Sequence, residues 1–184
     1  MRRKMVVALT VFALAFGTAA STPSAGADLE APAEAADIVG QTHMAVQGTD
    51  WVAERPAKFR RWKTYAWGVE TRAEKPTQEW VHIAIPTPTF VDGTQLNVFH
   101  IEFCAKAAKP SKSAPVAVHI WANQKRVYTE TITWPDTTAE YCHKIDFAPA
   151  EWMESVGISV LVNYANRYNK VTLTKAWIAL TPAP

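Results

Sequence analysis

Side chains alternate apolar and polar with a period of two through most of the chain after residue 42, the spacing of half-buried strands. Residues 80–85 set Trp80, His82 and Ala84 on one face and Val81, Ile83 and Ile85 on the other. Pro86 and Pro88 then end the ladder, since neither ring nitrogen can donate a hydrogen bond. Asp92-Gly93 is a strong turn dipeptide. Beyond it Phe99, Ile101 and Phe103 share one face, against Val98, His100 and Glu102. The same patterning predicts strands over 42–47, 59–70, 116–121, 126–133, 140–147, 155–164 and 171–180, with a tight turn at Asn123-Gln124 and room for one helical turn near 148–153. About nine strands at this spacing, with no long helical pattern, predict one antiparallel β-sandwich over 42–184, jelly-roll or Ig-like.

The first 41 residues are of another kind. Arg2, Arg3 and Lys4 precede an apolar run, 5–16, that is too short to span a bilayer, and Ala25-Gly26-Ala27 offers the small residues of a signal cleavage site. Residues 1–27 therefore read as an export signal, with cleavage after Ala20 as the competing site, and the mature chain is expected to be secreted. Losing it takes away three of the 19 basic residues and none of the 17 acidic ones, which leaves the remainder near neutral. A near-neutral chain has no charge-based claim on nucleic acid or an acidic membrane. Residues 28–41 are acidic and Ala-rich, with only Leu29, Ile38 and Val39 to bury, and read as a free arm able to dock on a partner.

Cys104 and Cys142 are the two cysteines, and an exported chain meets an oxidising compartment, so a bridge between them is expected. Closing a loop of about 39 residues stabilises by roughly 4 kcal/mol in the chain-entropy account. Both fall out of phase with the neighbouring aromatic rows, which puts the bridge on an outer face or at strand ends.

Catalytic chemistry finds little to rest on. Ser111, Ser113, Ser155 and Ser159 lie outside any Gly-x-Ser-x-Gly setting, and Gly-rich phosphate loops are absent. His43, His82, His100, His119 and His143 form no His-x-His or His-Glu-x-x-His pair, although strands can bring histidines together across a sheet. No catalytic residue, metal site or cofactor is assigned. Two surfaces suit binding better. One is the strand holding Arg60, Arg61, Trp62, Lys63, Tyr65 and Trp67, where aromatic planes and cationic donors would suit a sugar or a protein hot spot. The other is the loop 163–169 with Tyr164, Arg167 and Tyr168 among its asparagines, a recognition-loop composition. The structural alternatives are a core tryptophan with solvated cations, and a plain Asn-rich turn.

The run Trp-Val-His-Ile-Ala-Ile-Pro-Thr-Pro at 80–88, with Arg60-Arg61-Trp62 before it and Gly157-Ile158-Ser159-Val160 after, resembles a family of small uncharacterised bacterial secreted β-sandwich domains. That resemblance implies a fold and no activity. The layout of signal, arm and single sandwich is also similar to the adaptor subunit of secreted umbrella-shaped toxin particles, which would imply a non-catalytic linker between other secreted subunits. The sequence thus predicts a secreted, non-enzymatic interaction module whose partners are other secreted proteins, with no membrane contact after signal cleavage. The alternative is a carbohydrate-binding, lectin-like domain that stacks glycans on exposed aromatic residues.

Overall fold

A computed structural model describes residues 42–184. The signal reading for 1–27 and the arm with Leu29, Ile38 and Val39 lie outside the described residues. The described chain is almost wholly strand: β1 (Thr42–Gln47), β2 (Val52–Ala53), β3 (Phe59–Tyr65), β4 (Gly68–Ala73), β5 (Thr77–Pro86), β6 (Phe90–Val91), β7 (Thr94–Ala107), β8 (Ser113–Ala122), β9 (Lys125–Thr131), β10 (Tyr141–Glu151), β11 (Ser155–Tyr164) and β12 (Val171–Pro182). All pairings are antiparallel. One sheet runs β10-β7-β12-β4-β3, with β1 on β12 and β6 on β7; the other runs β2-β5-β11-β8-β9. The fold is an antiparallel β-sandwich.

The strand parity read from the sequence holds at the centre. Val81, Ile83 and Ile85 of β5, Val118 and Ile120 of β8, and Val156, Ile158, Val160 and Val162 of β11 are buried. They share one apolar cluster with Ile101, Phe103, Ile178 and Leu180 of the other sheet. Removing this much apolar side chain from water is the main force holding the sheets together. Asp92 and Gly93 both take positive φ, 49° and 79°, and so do Asn123 and Gln124, at 49° and 68°. These are the tight two-residue turns that join β6 to β7 and β8 to β9.

Three local expectations change. The stretch 59–70 is a hairpin rather than one strand, folding back at Ala66-Trp67 so that Tyr65 pairs with Gly68. Gly68 is needed there: a Cβ on it would collide with the Leu173 carbonyl oxygen of β12, and one on Gly48 would come within 2.5 Å of the Leu173 and Thr174 oxygens. At Phe99 the ladder slips, because Ala179 pairs with His100 while Leu180 pairs with Val98. Val98 therefore joins the core, and Phe99 is the extra residue of a bulge. Finally, 148–151 continues β10 instead of turning as helix.

Cys104 and Cys142 face each other directly across β7 and β10 and are bridged. They share the outward parity of Glu102, as their phase indicated. Replacing both by serine is expected to lower the free energy of unfolding by about 2–4 kcal/mol, measured by urea denaturation.

Candidate functional site

Side chains that point away from the core on the second sheet make the most built surface of the described residues. β11 lies between β5 and β8, so its register brings two distant strands onto common rows. His82, Ser159 and His119 are directly opposite one another in one row. Ala84, Gly157 and Trp121 form the row on one side, and Trp80, Leu161 and Ala117 the row on the other. Small Ala84 and Gly157 keep the first row low beside the Trp121 ring.

The large side chains lean diagonally across these rows. The Trp80 and His119 rings lie 4.4 Å apart between centroids, tilted by 35°, and His119 and Trp121 are 6.3 Å apart, edge to face. Trp80, His119 and Trp121 thus make one continuous aromatic band. Beneath it, Trp121 Nε1 donates to Ser159 Oγ at 3.0 Å, and Ser159 Oγ lies 2.8 Å from His82 Nδ1. The indole can only donate, so Ser159 Oγ accepts from it and shares a second hydrogen bond with His82 Nδ1. His82 Nε2 faces Glu54 Oε2 at 3.9 Å. These two hydrogen bonds fix Trp121 and His82 in place.

Burial pushes the His82 imidazolium pKa below its ordinary value, against a smaller opposing pull from Glu54. Burial does the same at His119, and Arg126 adds to it by repulsion. Both rings are accordingly neutral at neutral pH. A depressed histidine adds stability above its unfolded pKa of about 6.5, and that stability is lost as pH falls through the folded value. The thermal midpoint is therefore expected to drop below about pH 6.5, where an unfolded chain takes up protons that the folded face refuses. A His82→Gln/His119→Gln variant should flatten this part of the curve.

Three open clefts of about 350, 340 and 410 Å³ adjoin along this face. His82 and Ser159 wall the first two, Ala84 and Gly157 the last two, and Trp121 the first and third. Glu54 and Arg126 add ionic groups at the border. The face is a groove with an aromatic floor and a few fixed polar groups, the composition of a small-molecule or polymer site.

Ser159 beside His82 invites comparison with a hydrolase nucleophile. Ser159 sits mid-strand between two paired neighbours, so its backbone N–H and those beside it belong to the ladder. No oxyanion hole can form from them, and Ser159 Oγ is already engaged by Trp121. The geometry orients rings; it does not activate a hydroxyl.

The residues singled out from the sequence fall into three groups. Tyr164 is a correction: it is the last residue of β11, on the inward parity, 0% exposed, with its hydroxyl 2.5 Å from Thr71 Oγ1. Burial drives its pKa far up, although the Thr71 hydrogen bond pulls the other way. Trp62 is half-buried, packed against the core and edge-on to Phe59 at 5.1 Å. Trp67 is 53% exposed and stacks on Tyr65 at 4.9 Å, apart from the band. Arg61, Arg167 and Tyr168 meet at a separate pocket on the other sheet. Among the histidines, His43 and His100 flank Trp177, and His143 Nε2 lies 3.0 Å from Glu130 Oε2. Glu102 stands close to both cysteine sulfurs, but these are spent on the bridge and offer no metal ligand. The sequence reading missed Trp80, His119 and Trp121 as a site. Their parity was visible, but the intervening strand that unites them was not.

Neither a protein-family model nor a curated protein matches the sequence. Among solved structures, the chain is similar to the CBM36-1 domain of a multidomain xylanase from the hindgut metagenome of Trinervitermes trinervoides, at 10% identity and TM-score 0.45 over 74% of this chain and 96% of that one. It is also similar to the low-affinity xylan-binding module CBM86 from Roseburia intestinalis, at 13% identity and TM-score 0.44 over 76% and 96% of the two chains. A third is TmCBM61 in complex with β-1,4-galactotriose, at 10% identity and TM-score 0.44 over 77% and 88%. Likeness at this level carries neither a ligand nor a site to this chain.

Proposed function

We propose that the chain is an exported, non-catalytic glycan-binding β-sandwich, which takes an extended neutral saccharide along the outer face of the β2-β5-β11-β8-β9 sheet. The observation that carries this reading is the aromatic band Trp80–His119–Trp121 on the floor of a groove formed by adjoining clefts. Pyranose rings have apolar C–H faces and polar edges. Aromatic planes receive the first, while Glu54, His82 and Arg126 stand where hydroxyl groups would fall. Neutral histidines suit an uncharged ligand, because they neither repel nor require a charge.

This reading takes the glycan alternative ahead of a secreted-protein partner. The sequence basis of the partner reading, the arm at 28–41, lies outside the described residues. The test is calorimetric titration of residues 42–184 with neutral xylan, mannan, galactan and glucan oligosaccharides. Saturable binding to one of these, improving with chain length up to the span of the groove, is the expected result. Silence across all four at millimolar ligand would remove the proposal.

A further inference from the structure

The other sheet carries a feature that the neutral groove does not use. Arg60, Arg61, Arg72, Arg167 and Tyr168 line a pocket of about 250 Å³. A register slip between Phe59 and Arg61 on β3 lets two successive arginines reach it, Arg72 comes from β4, and Arg167 and Tyr168 come from the loop between β11 and β12. That loop is held in shape by Asn166 Oδ1, which accepts from the backbone N–H groups of Tyr168 and Asn169 at 2.9 and 3.0 Å.

The charges in this pocket do not cancel. Buried Glu70 lies 2.7 Å from Arg61 Nε, 3.4 Å from Arg72 and 3.2 Å from Lys170. The Arg61 contact is a close ion pair whose N–H is not aligned as a hydrogen bond, and Arg72 Nε has no partner. One carboxylate thus stands among three cations before Arg60 and Arg167 are counted. Glu74 is the acid whose charge acts on Arg167. Arg167 donates to the Tyr168 hydroxyl at 2.8 Å and lies over its ring at 5.0 Å, while Tyr168 itself is 65% exposed. Guanidinium groups converge on oxyanions by paired hydrogen bonds. Beside them, the open ring of Tyr168 offers a flat apolar platform.

We propose that this pocket binds the anionic group of an acidic saccharide, a uronate carboxylate or a sulfate ester, with the sugar ring against Tyr168. The ionic part stands on the pocket alone; the choice of a saccharide as carrier rests on the glycan reading above. The pocket has room for a single ring, and its lining has no apolar slot for a peptide side chain.

Calorimetric titrations of residues 42–184 would use four probes: an oligogalacturonide, a sulfated galactan oligosaccharide, poly-glutamate, and phosphatidylglycerol vesicles. Expected is binding of one of the two saccharides that weakens at least tenfold in Arg60→Gln/Arg167→Gln and several-fold between 25 and 300 mM salt. Neither arginine pairs with Glu70, so this variant strands no buried charge. Which saccharide binds tells carboxylate from sulfate. Equal binding to the wild type and the arginine variant, or tighter binding of poly-glutamate or vesicles than of either saccharide, would overturn the proposal. A Trp80→Ala/Trp121→Ala variant separates the two sites. Acidic binding lost with neutral binding in that variant would sink the pocket and keep the groove; acidic binding kept when no neutral glycan binds would do the opposite.

Discussion

Replacing Tyr164 by alanine is expected to destabilise the sandwich by about 3–5 kcal/mol, as for other large buried aromatic side chains. Tyr164 lies wholly inside, edge-on to Phe59 at 6.0 Å, and ties β11 to β4 through Thr71. Thr71 in turn donates to the Val171 carbonyl of β12 at 2.9 Å, so one hydroxyl pair joins strands of both sheets. The phenylalanine variant keeps the ring and removes only the hydroxyl. Thr71 retains Val171 as its acceptor, and the expected cost is about 1–2 kcal/mol. Urea denaturation of the two variants resolves the contributions of ring and hydroxyl. Equal, small losses would mean that Tyr164 is a surface residue after all. The total matters because a domain of this size has only about 5–15 kcal/mol to lose.

The second large effect is on binding. Trp80→Ala or Trp121→Ala alone is expected to weaken the neutral glycan by at least about 2 kcal/mol, near 30-fold, the scale of an aromatic hot spot. Together they should weaken it about 1,000-fold, beyond detection for a micromolar ligand. Both rings project outward, so the thermal midpoint should move far less than in Tyr164→Ala. Trp121 carries a second consequence, because its loss frees Ser159 and lets His82 turn. Histidine resonances followed by NMR in Trp121→Ala should therefore shift, while Trp80→Ala should disturb chiefly His119. Unchanged affinity in the double variant would move the glycan site off this face.

How much of this was legible in the sequence depends on the range of the interaction concerned. Alternation of Val81, Ile83 and Ile85 against Trp80, His82 and Ala84 follows from strand geometry alone, and so do the Asp92-Gly93 turn and the outward phase of Cys104. Neighbour relations do not follow. Trp80 and His119 touch because β11 enters between β5 and β8 from much later in the chain. Nothing local in either strand encodes that meeting. Bulges also escape a period-two reading. The extra residue at Phe99 exchanged the roles of Val98 and Phe99, and the slip before Arg61 put Arg60 and Arg61 at one pocket instead of on opposite faces. Tyr164 was misread because its asparagine neighbours suggested a loop, whereas β11 keeps its inward parity to that residue. The sequence reading placed aromatic rings and polar donors on β3, whereas the groove gathers such groups from β5, β11 and β8.

Thr42 pairs with Leu180 and Gln47 with Lys175, so the first strand described finds its partner in the last. In a chain synthesised at about 5–20 residues per second, β1 waits on the order of ten seconds before β12 exists. Until then its apolar positions, Met44 and Val46, have no sheet to join. Such distant pairing also requires a large loop to close before any contact is gained, the condition for slow folding. Closure of this seam should be the last event in refolding. A tryptophan signal from Trp177, which lies opposite Ala45, would then lag behind the signal of the buried core.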